Sequence, residues 1–343
     1  MTKNSGKSEK TANKRMSAPA VIALDLLCIV IGLNVFAYFH HVRDYLHPAQ
    51  AAPVTLITPA PPSAAPTEKP SEPEAETETT PLPVQEKQAG MWSERFPGVF
   101  TDGEIIRTEN TYKSPNISVT VTKVEKPGLF YHVAEIYVTD IRYLRTAFGE
   151  KGYGYRGMAA DIASANNAVA AISGDYYSAR QEGIVVRNGV LYRDTRFEDV
   201  CVLLSDGRML TLASDEVDTE QLKAAAPWQV WSFGPRLLEN GKAMTTFNST
   251  VERRNPRSAI GYAEPGHYFF VQVDGRNANG SRGMTLEDLA VLFEELGCES
   301  AYNLDGGQTA GFVWNGALAS YPYGRSVSDI IYVTDQLPEG EGE

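Results

Sequence analysis

The segment Tyr302-Asn303-Leu304-Asp305-Gly306-Gly307-Gln308-Thr309 constrains this chain more than any other stretch. It sets an amide, a carboxylate, two adjacent glycines, a second amide and a hydroxyl side by side. An apolar run with helical spacing precedes it, ending at Leu296 and Gly297, and the strand-like Phe312-Val313-Trp314 follows. Neither glycine carries a Cβ, so the backbone turns sharply there and admits a close neighbour. Asp305 is expected to project from a tight turn with backbone N–H groups beside it. Such a turn offers donors and acceptors together to a sugar or a phosphate. A plain Asp-Gly hairpin turn is the competing reading of the same residues.

Composition limits the partners. The chain has 343 residues, 22% of them charged, and a net charge of −12. That balance is unsuited to holding a nucleic acid through its phosphates. Of five histidines, His40, His41 and His47 lie in the N-terminal third, leaving His132 and His267 for the folded part. Neither belongs to a cluster with zinc-ligand spacing, and no nucleophile-elbow motif accompanies them. Both are expected to be structural.

The N-terminal third reads as a membrane tether. Residues 1–17 form a basic tail. Residues 18–39 are an apolar run interrupted by Asp25 and Asn34, long enough for a spanning helix. Basic residues on the N-terminal flank predict an N-terminus inside and a remainder outside the membrane. A cleaved signal peptide is the rival reading, but Ala49-Gln50-Ala51 lies well beyond the apolar run. Residues 40–90 are rich in Pro, Ala, Thr and Glu, and ten of the chain's 20 prolines fall between Pro48 and Pro83. This predicts a disordered acidic linker that holds the folded part off the membrane. Residues 337–343 are a short acidic tail. Cys28 sits in the apolar run; Cys201 and Cys298 either pair or stay as buried free thiols.

Residues 91–336 are enough for one large domain. Asn116–Glu125 and Tyr131–Thr139 alternate with period two around Lys126-Pro127-Gly128, which predicts a hairpin. Further short strands are expected at Val169–Ile172, Ile184–Arg187, Val190–Tyr192, Val200–Leu204, Met209–Leu212, Ser258–Tyr262, Tyr268–Val273, Phe312–Trp314 and Ile330–Val333. Three helices are predicted, over Arg156–Asn166, Thr219–Ala226 and Leu286–Leu296. The last carries Leu286, Leu289, Ala290, Phe293 and Leu296 on one face, with Thr285 as N-cap. The fold class is therefore α+β, with mixed β-sheets and a few covering helices. Gly152-Tyr153-Gly154-Tyr155-Arg156-Gly157 matches a dinucleotide fingerprint on paper. No strand runs into its first glycine, so an aromatic rim loop is the better reading.

Five other segments complete a pattern. In chain order they are Ala171-Ile172-Ser173-Gly174-Asp175-Tyr176-Tyr177, Arg257-Ser258-Ala259-Ile260-Gly261, Val273-Asp274-Gly275-Arg276, Gly283-Met284-Thr285-Leu286-Glu287-Asp288-Leu289-Ala290 and Arg325-Ser326-Val327-Ser328-Asp329. Together with the Asp305 turn they resemble the phosphodiester glycosidase family from about Ala168 to Val333, with a looser lead-in from Gly103. Bacterial members are often described as exopolysaccharide biosynthesis proteins. Two departures stand out. Ser173-Gly174 replaces the family's usual Asn-Gly, and Gly306-Gly307-Gln308-Thr309-Ala310 replaces Gly-Gly-Gly-Ser-Ser. Gln308 is larger than the usual residue and is expected to narrow the pocket or to change the substrate.

The resemblance implies a hydrolase that cleaves a sugar-1-phosphodiester, such as an N-acetylglucosamine-like one, in a cell-surface polymer or glycoconjugate, and the N-terminal apolar run predicts that it is membrane-anchored. Arginine's planar fork suits a phosphate, and Arg257, Arg276 and Arg325 lie in the shared motifs. Attack at an anomeric carbon ordinarily uses carboxylates. Asp175, Asp274, Glu287 and Asp305 form that pool, with Asp305 and Asp175 foremost; Glu287 also serves the helix dipole. Asn303, Gly306, Gly307, Gln308 and Thr309 are expected to bind hydroxyls or phosphate oxygens. No cofactor is required, although a calcium-like ion on Asp175, Asp274, Asp305 and Asn303 is an open alternative without EF-hand spacing. A non-catalytic carbohydrate-binding protein in exopolysaccharide assembly is the alternative function. A surface protein whose glycines only serve turns is a third.

Overall fold

The computed structural model describes residues 54–56 and 92–338. The apolar run 18–39, nearly all of the linker and the end of the acidic tail lie outside the described residues. Among the described residues no helix is long and apolar enough to cross a membrane.

In chain order the first strands are β1 (Val54–Thr55), β2 (Ile106–Arg107), β3 (Thr111–Lys113), β4 (Ile117–Lys126), β5 (Leu129–Val138), β6 (Leu144–Phe148) and β7 (Ala168–Ser173). Next come β8 (Gly183–Arg187), β9 (Val190–Thr195), β10 (Val200–Leu203), β11 (Met209–Leu212), β12 (Gln229–Trp231), β13 (Leu238–Glu239) and β14 (Lys242–Ala243). The last are β15 (Arg257–Glu264), β16 (His267–Val273), β17 (Ser300–Leu304), β18 (Phe312–Trp314), β19 (Ala317–Leu318) and β20 (Asp329–Thr334). Three α-helices interrupt them: α1 (Ala159–Ala165), α2 (Thr219–Ala224) and α3 (Leu286–Glu295).

The strands assemble into a seven-stranded sheet of order β17-β15-β16-β5-β4-β3-β2, a six-stranded sheet β1-β9-β8-β12-β10-β11, a five-stranded sheet β19-β18-β7-β20-β6 and the small ribbon β13-β14. The expected hairpin β4–β5 is there, in register from Ile117 opposite Val138 to Lys126 opposite Leu129. The α+β class stands, but the expectation of mixed sheets is corrected. Every described pair is antiparallel. Hairpin turns join many of the strands, and a parallel pair would need a long crossover.

The principal core lies where the inner faces of the three sheets meet. Val119, Ile136, Ile260, Phe270 and Tyr302 of the large sheet pack with Ile172, Phe312 and Ile331 of the five-stranded sheet and with Leu203 and Trp231 of the six-stranded one. Each outer face has its own helix. Leu286, Leu289, Ala290 and Phe293 of α3 cover Val271 and Ala301. Ile162 and Ala163 of α1 cover Ala171, Val313 and Ile330. Leu222 of α2 covers Ile184, Val202 and Val230. This layering is why a strand such as β20 is buried along its whole length and shows no alternation.

Two differences from the sequence reading have local causes. The linker is not wholly free of structure, because β1 pairs with β9 and the Leu56 amide donates to Gly189 O at 2.7 Å. Leu56 packs beside Leu191 against the α2 cluster. Strands β6, β12 and β17 escape sequence reading because all are buried on both faces while carrying Arg145, Gln229 and Asn303. Buried polar residues erase the pattern that marks a strand.

Helix α3 begins as expected: Thr285 Oγ1 accepts the Asp288 amide at 3.0 Å. Thr285→Ala is expected to lower stability by about 0.5–2 kcal/mol through the lost cap. A urea titration with no shift in midpoint would show that packing against the sheet alone holds this end of the helix.

Candidate functional site

Strand β17 delivers the central side chains. Its alternation sends Tyr302 and Leu304 to the principal core. Asn303 and Asp305 point to the other side, and both line a cleft of about 600 Å3. Asp305 is only 8% exposed, yet its Oδ2 has no hydrogen-bond partner among the described residues. Asn303 Nδ2 donates to Gly234 O at 2.8 Å, while its Oδ1 is likewise buried and unpartnered. Two neighbouring acceptors are therefore left open in a fold that satisfies nearly all of its buried polar atoms, which marks a ligand position.

Burial pushes the Asp305 carboxyl from its usual 3.8 up to about 7. The Thr309 hydroxyl, Arg325 and Arg156 oppose that rise, and the charge of Asp175 adds to it. A carboxyl poised near neutrality in a cleft is suited to proton transfer.

The glycine pair shapes the floor. A Cβ on Gly306 would lie 2.5 Å from Pro256 O, so only glycine lets the turn sit against that strand end. Gly307 has φ +64°, and its amide donates to Pro256 O at 2.9 Å. Thr309 Oγ1 donates to Gly306 O at 2.5 Å, so this hydroxyl closes the turn and does not line the cleft. Ser173, one of the departures from the family pattern, pins the same turn: its Oγ donates to Thr309 O and accepts from Gly311 N.

Four arginines line the cleft: Arg180, Arg257, Arg276 and Arg325. Among the described residues none of them forms an ion pair with a carboxylate, although the chain is acidic overall. Arg257 is buried and fixed by backbone carbonyls. Its Nε donates to Met284 O at 3.1 Å and its Nη2 to Val251 O and Arg253 O at 2.8 and 2.7 Å. Burial without a counter-ion lowers its pKa to about 10, which leaves it charged at neutral pH. Arg276 is exposed and reaches the glycine pair; its Nη2 would be 3.1 Å from a Cβ on Gly307. Arg325 Nη2 donates to Tyr176 Oη at 3.2 Å. Gln308 is exposed on the cleft wall.

Three of the expected carboxylates sit elsewhere. Asp175 is buried behind the turn, where the Gly174 carbonyl accepts the Asp305 amide at 2.9 Å. Its Oδ1 accepts from Tyr176 N, and its Oδ2 from Ser232 N and Arg187 Nη2. Asp274 is fully buried and holds its own loop through Gln272 Nε2 at 2.9 Å and Asn279 Nδ2 at 2.7 Å. Glu287 is exposed in the first turn of α3, away from the cleft wall. Among the described residues no group of three or more His, Cys, Asp and Glu side chains is arranged to hold a metal ion. The Asp175, Asp274 and Asp305 carboxylates do not form one.

Sequence reasoning missed four groups, the first of them Arg180 on the cleft wall. Glu198 is a second carboxylate on the cleft wall and has no hydrogen-bond partner among the described residues. Burial, then the charge of Asp199, raise its pKa, against the pull of Arg180. Arg187, 1% exposed, and Asp329 form the buried node behind the site, with Arg187 Nε to Asp329 Oδ2 at 2.7 Å. Arg156 stands over the Tyr176 ring. Asp329 ends the Arg325 motif, Arg156 lies in the Gly152–Gly157 segment and Arg187 ends an expected strand, but none of those signals marked the side chain as part of the site. The two remaining histidines are structural, as expected. His132 Nδ1 donates to Gln272 Oε1 at 3.2 Å, and His267 Nε2 meets Glu135 Oε1 at 3.0 Å.

The antiparallel α+β scaffold has a counterpart among known proteins. Residues 166–334 match the phosphodiester glycosidase family, and that part of the chain is a domain of this family. The prophage-derived uncharacterized protein YomE of Bacillus subtilis is 31% identical over 156 residues, 43% of this chain and 24% of that protein. N-acetylglucosamine-1-phosphodiester alpha-N-acetylglucosaminidase from Bos taurus is 34% identical over 131 residues, 34% of this chain and 24% of that enzyme. The chain thus spans about a quarter of the length of these relatives. The catalytic domain of the zebrafish N-acetylglucosamine-1-phosphodiester alpha-N-acetylglucosaminidase, solved in a form auto-inhibited by its pro-peptide, shares the fold. Its TM-score is 0.53 at 22% identity, over 68% of this chain and 88% of that one.

Proposed function

We propose that this protein is a hydrolase that cleaves a sugar from phosphate in a sugar-1-phosphodiester, with the substrate carried by a cell-surface polymer or glycoconjugate. The observation that carries the reading is Asp305: a buried carboxyl with an open Oδ2, raised to about 7, in a cleft whose arginines form no ion pair with a carboxylate among the described residues. Names of the relatives point to an N-acetylglucosamine-like sugar. The apolar run 18–39 and the spacer after it would hold the domain outside the cell at the membrane.

The chemistry assigns each group one task. Arg257 and Arg276 hold the phosphate oxygens beside the glycine pair. Asn303 Oδ1 accepts a donor of the sugar. Asp305, ionised, takes a proton from water as the water oxygen bonds to the anomeric carbon. The bond from that carbon to the phosphate oxygen breaks, and its electron pair leaves with the phosphate. The products are the free sugar and a phosphate monoester. A phosphate is a weak base and leaves without a proton, so one base and cationic stabilisation suffice.

Because the base must be ionised, kcat/KM is expected to rise with pH and level off above about 7, following the Asp305 carboxyl. The test is release of reducing sugar by the purified full-length chain from a panel of sugar-1-phosphodiesters, headed by α-N-acetylglucosamine-1-phosphate esters, across pH 5–9 and with chelator. A rate that falls above about 7 would assign Asp305 as an acid instead. Binding of the panel without turnover would favour a carbohydrate-binding protein.

A further inference from the structure

The proposed reaction needs one phosphate to be held, yet the cleft carries more cationic charge than one diester supplies. A phosphodiester brings a single negative charge. Arg180, Arg257, Arg276 and Arg325 line the cleft against only Asp305 and Glu198. Arg156 is not among the cleft-lining residues, but its charge acts on the Asp305 carboxyl.

The arginines fall into separate groups. Arg276 reaches the glycine pair, and Arg257 is anchored on the carbonyls of residues 251–253 and 284. Arg156 and Arg325 instead converge on Tyr176. Their guanidinium carbons lie 5.5 and 5.7 Å from the centroid of that one ring. Both are fixed in place. Arg156 Nε donates to Ser178 Oγ at 2.9 Å, and Ser178 Oγ is in turn 2.7 Å from Ser328 Oγ. Arg325 Nη2 donates to Tyr176 Oη at 3.2 Å. Neither pairs with a carboxylate within 4.0 Å among the described residues. Two like charges pinned against one ring repel each other unless an anion comes between them. The tyrosine face relieves part of that repulsion. Arg325 lines the cleft together with Asp305, and the charges of both arginines act on that carboxyl.

We infer that Arg156 and Arg325 over Tyr176 form a second anion station, which takes a second phosphate of a substrate bearing repeated phosphodiesters. The inference rests on the proposed glycosidase reading and narrows its substrate to a poly-phosphodiester chain in place of an isolated diester. Arginine forks suit phosphate oxygens, and two fixed stations on one cleft select for spacing between charges.

The test measures binding by calorimetry with the full-length chain. The probes are glycerol-phosphate oligomers with one internal phosphodiester and with four. The four-diester oligomer is expected to bind at least tenfold more tightly than the single diester. Arg156→Gln should remove most of that advantage, whereas Arg276→Gln should weaken both probes alike. Arg156→Lys, which keeps the charge, should restore part of the advantage and guards against a variant that simply fails to fold. Equal affinity for the two probes in the wild type would overturn the inference. So would an Arg156→Gln variant that weakens both probes by the same factor, which would confine Arg156 to holding the Asp305 charge. Because these probes carry no sugar, the binding readout is separate from the sugar-release assay: a chain that prefers the four-diester oligomer but releases no sugar from the sugar-1-phosphodiester panel would fail the glycosidase reading alone.

Discussion

Asp305→Asn is expected to lower sugar release by about 10²- to 10⁴-fold, the contribution of a positioned base, and at the same time to stabilise the folded protein at pH 8. The two effects share one cause. Folding carries the carboxyl from an environment where it ionises at 3.8 to one where it ionises at about 7. A raised carboxyl pKa means that the folded state holds a proton that the unfolded state has released between those values. Stability associated with this group is therefore fully present below about 4 and is lost as pH rises through about 7. The rise from 3.8 to about 7 corresponds to roughly 4 kcal/mol at full ionisation, as an order of magnitude. Asparagine keeps the size and removes the charge, so the variant should melt higher than wild type at pH 8 and nearly equally at pH 4. Measurement of Tm against pH for both proteins, beside the turnover assay, decides the matter. An inactive variant that is no more stable at pH 8 would mean that the carboxylate is well solvated. An active one would remove Asp305 from the chemistry.

The second large effect is expected at a residue that never meets substrate. Arg187→Met should destabilise the protein by about 3–5 kcal/mol, the usual cost of removing one partner from a buried ion pair. Arg187 Nε and Nη2 reach Asp329 and Asp175 at 2.7 and 3.3 Å, and all three side chains are buried. Asp329 Oδ1 also accepts the Asp175 amide at 2.7 Å. A Cβ on Gly174 would lie 2.3 Å from that oxygen, so glycine is what lets the carboxylate close on the backbone. The node thereby ties β7, β8 and β20 together directly behind Asp305. Burial raises the Asp329 carboxyl to about 6 even beside the arginine. In the variant both carboxylates lose their cation, so the deficit should be largest at pH 8 and shrink towards pH 4 as Asp329 takes up a proton. Urea unfolding at the two pH values measures this. Adding Asp329→Asn to the variant should recover part of the loss. A deficit below about 1 kcal/mol at pH 8 would show that the carboxylates find other partners.

Local pattern made much of the scaffold legible. Strict alternation in 116–125 and 131–139 foretold the β4–β5 hairpin, because one face of each strand meets the core. The periodic apolar face and Thr285 foretold α3. Strand β17, which carries the site, was not legible, since all of its residues are buried and Asn303 interrupts the apolar run. The candidate carboxylates were chosen by their motifs, and motifs do not reveal which side chain faces solvent. Asp175 and Asp305 sit in equally suggestive segments, yet the first is consumed by Arg187, Ser232 and Tyr176 while the second is left open.

The sequence by itself determined the hairpins, the capped helix, the glycine turn and the ordered motifs of a phosphodiester glycosidase domain, because each depends on residues close together in the chain. Only the tertiary structure decided which charges work together. Asp329 meets Arg187 across 142 positions and the Asp175 amide across 154. Arg156 and Arg325, 169 positions apart in the chain, both reach the Tyr176 ring. Burial and charge pairing arise when distant segments meet, and they separate a carboxylate that holds the fold from one that is free to do chemistry.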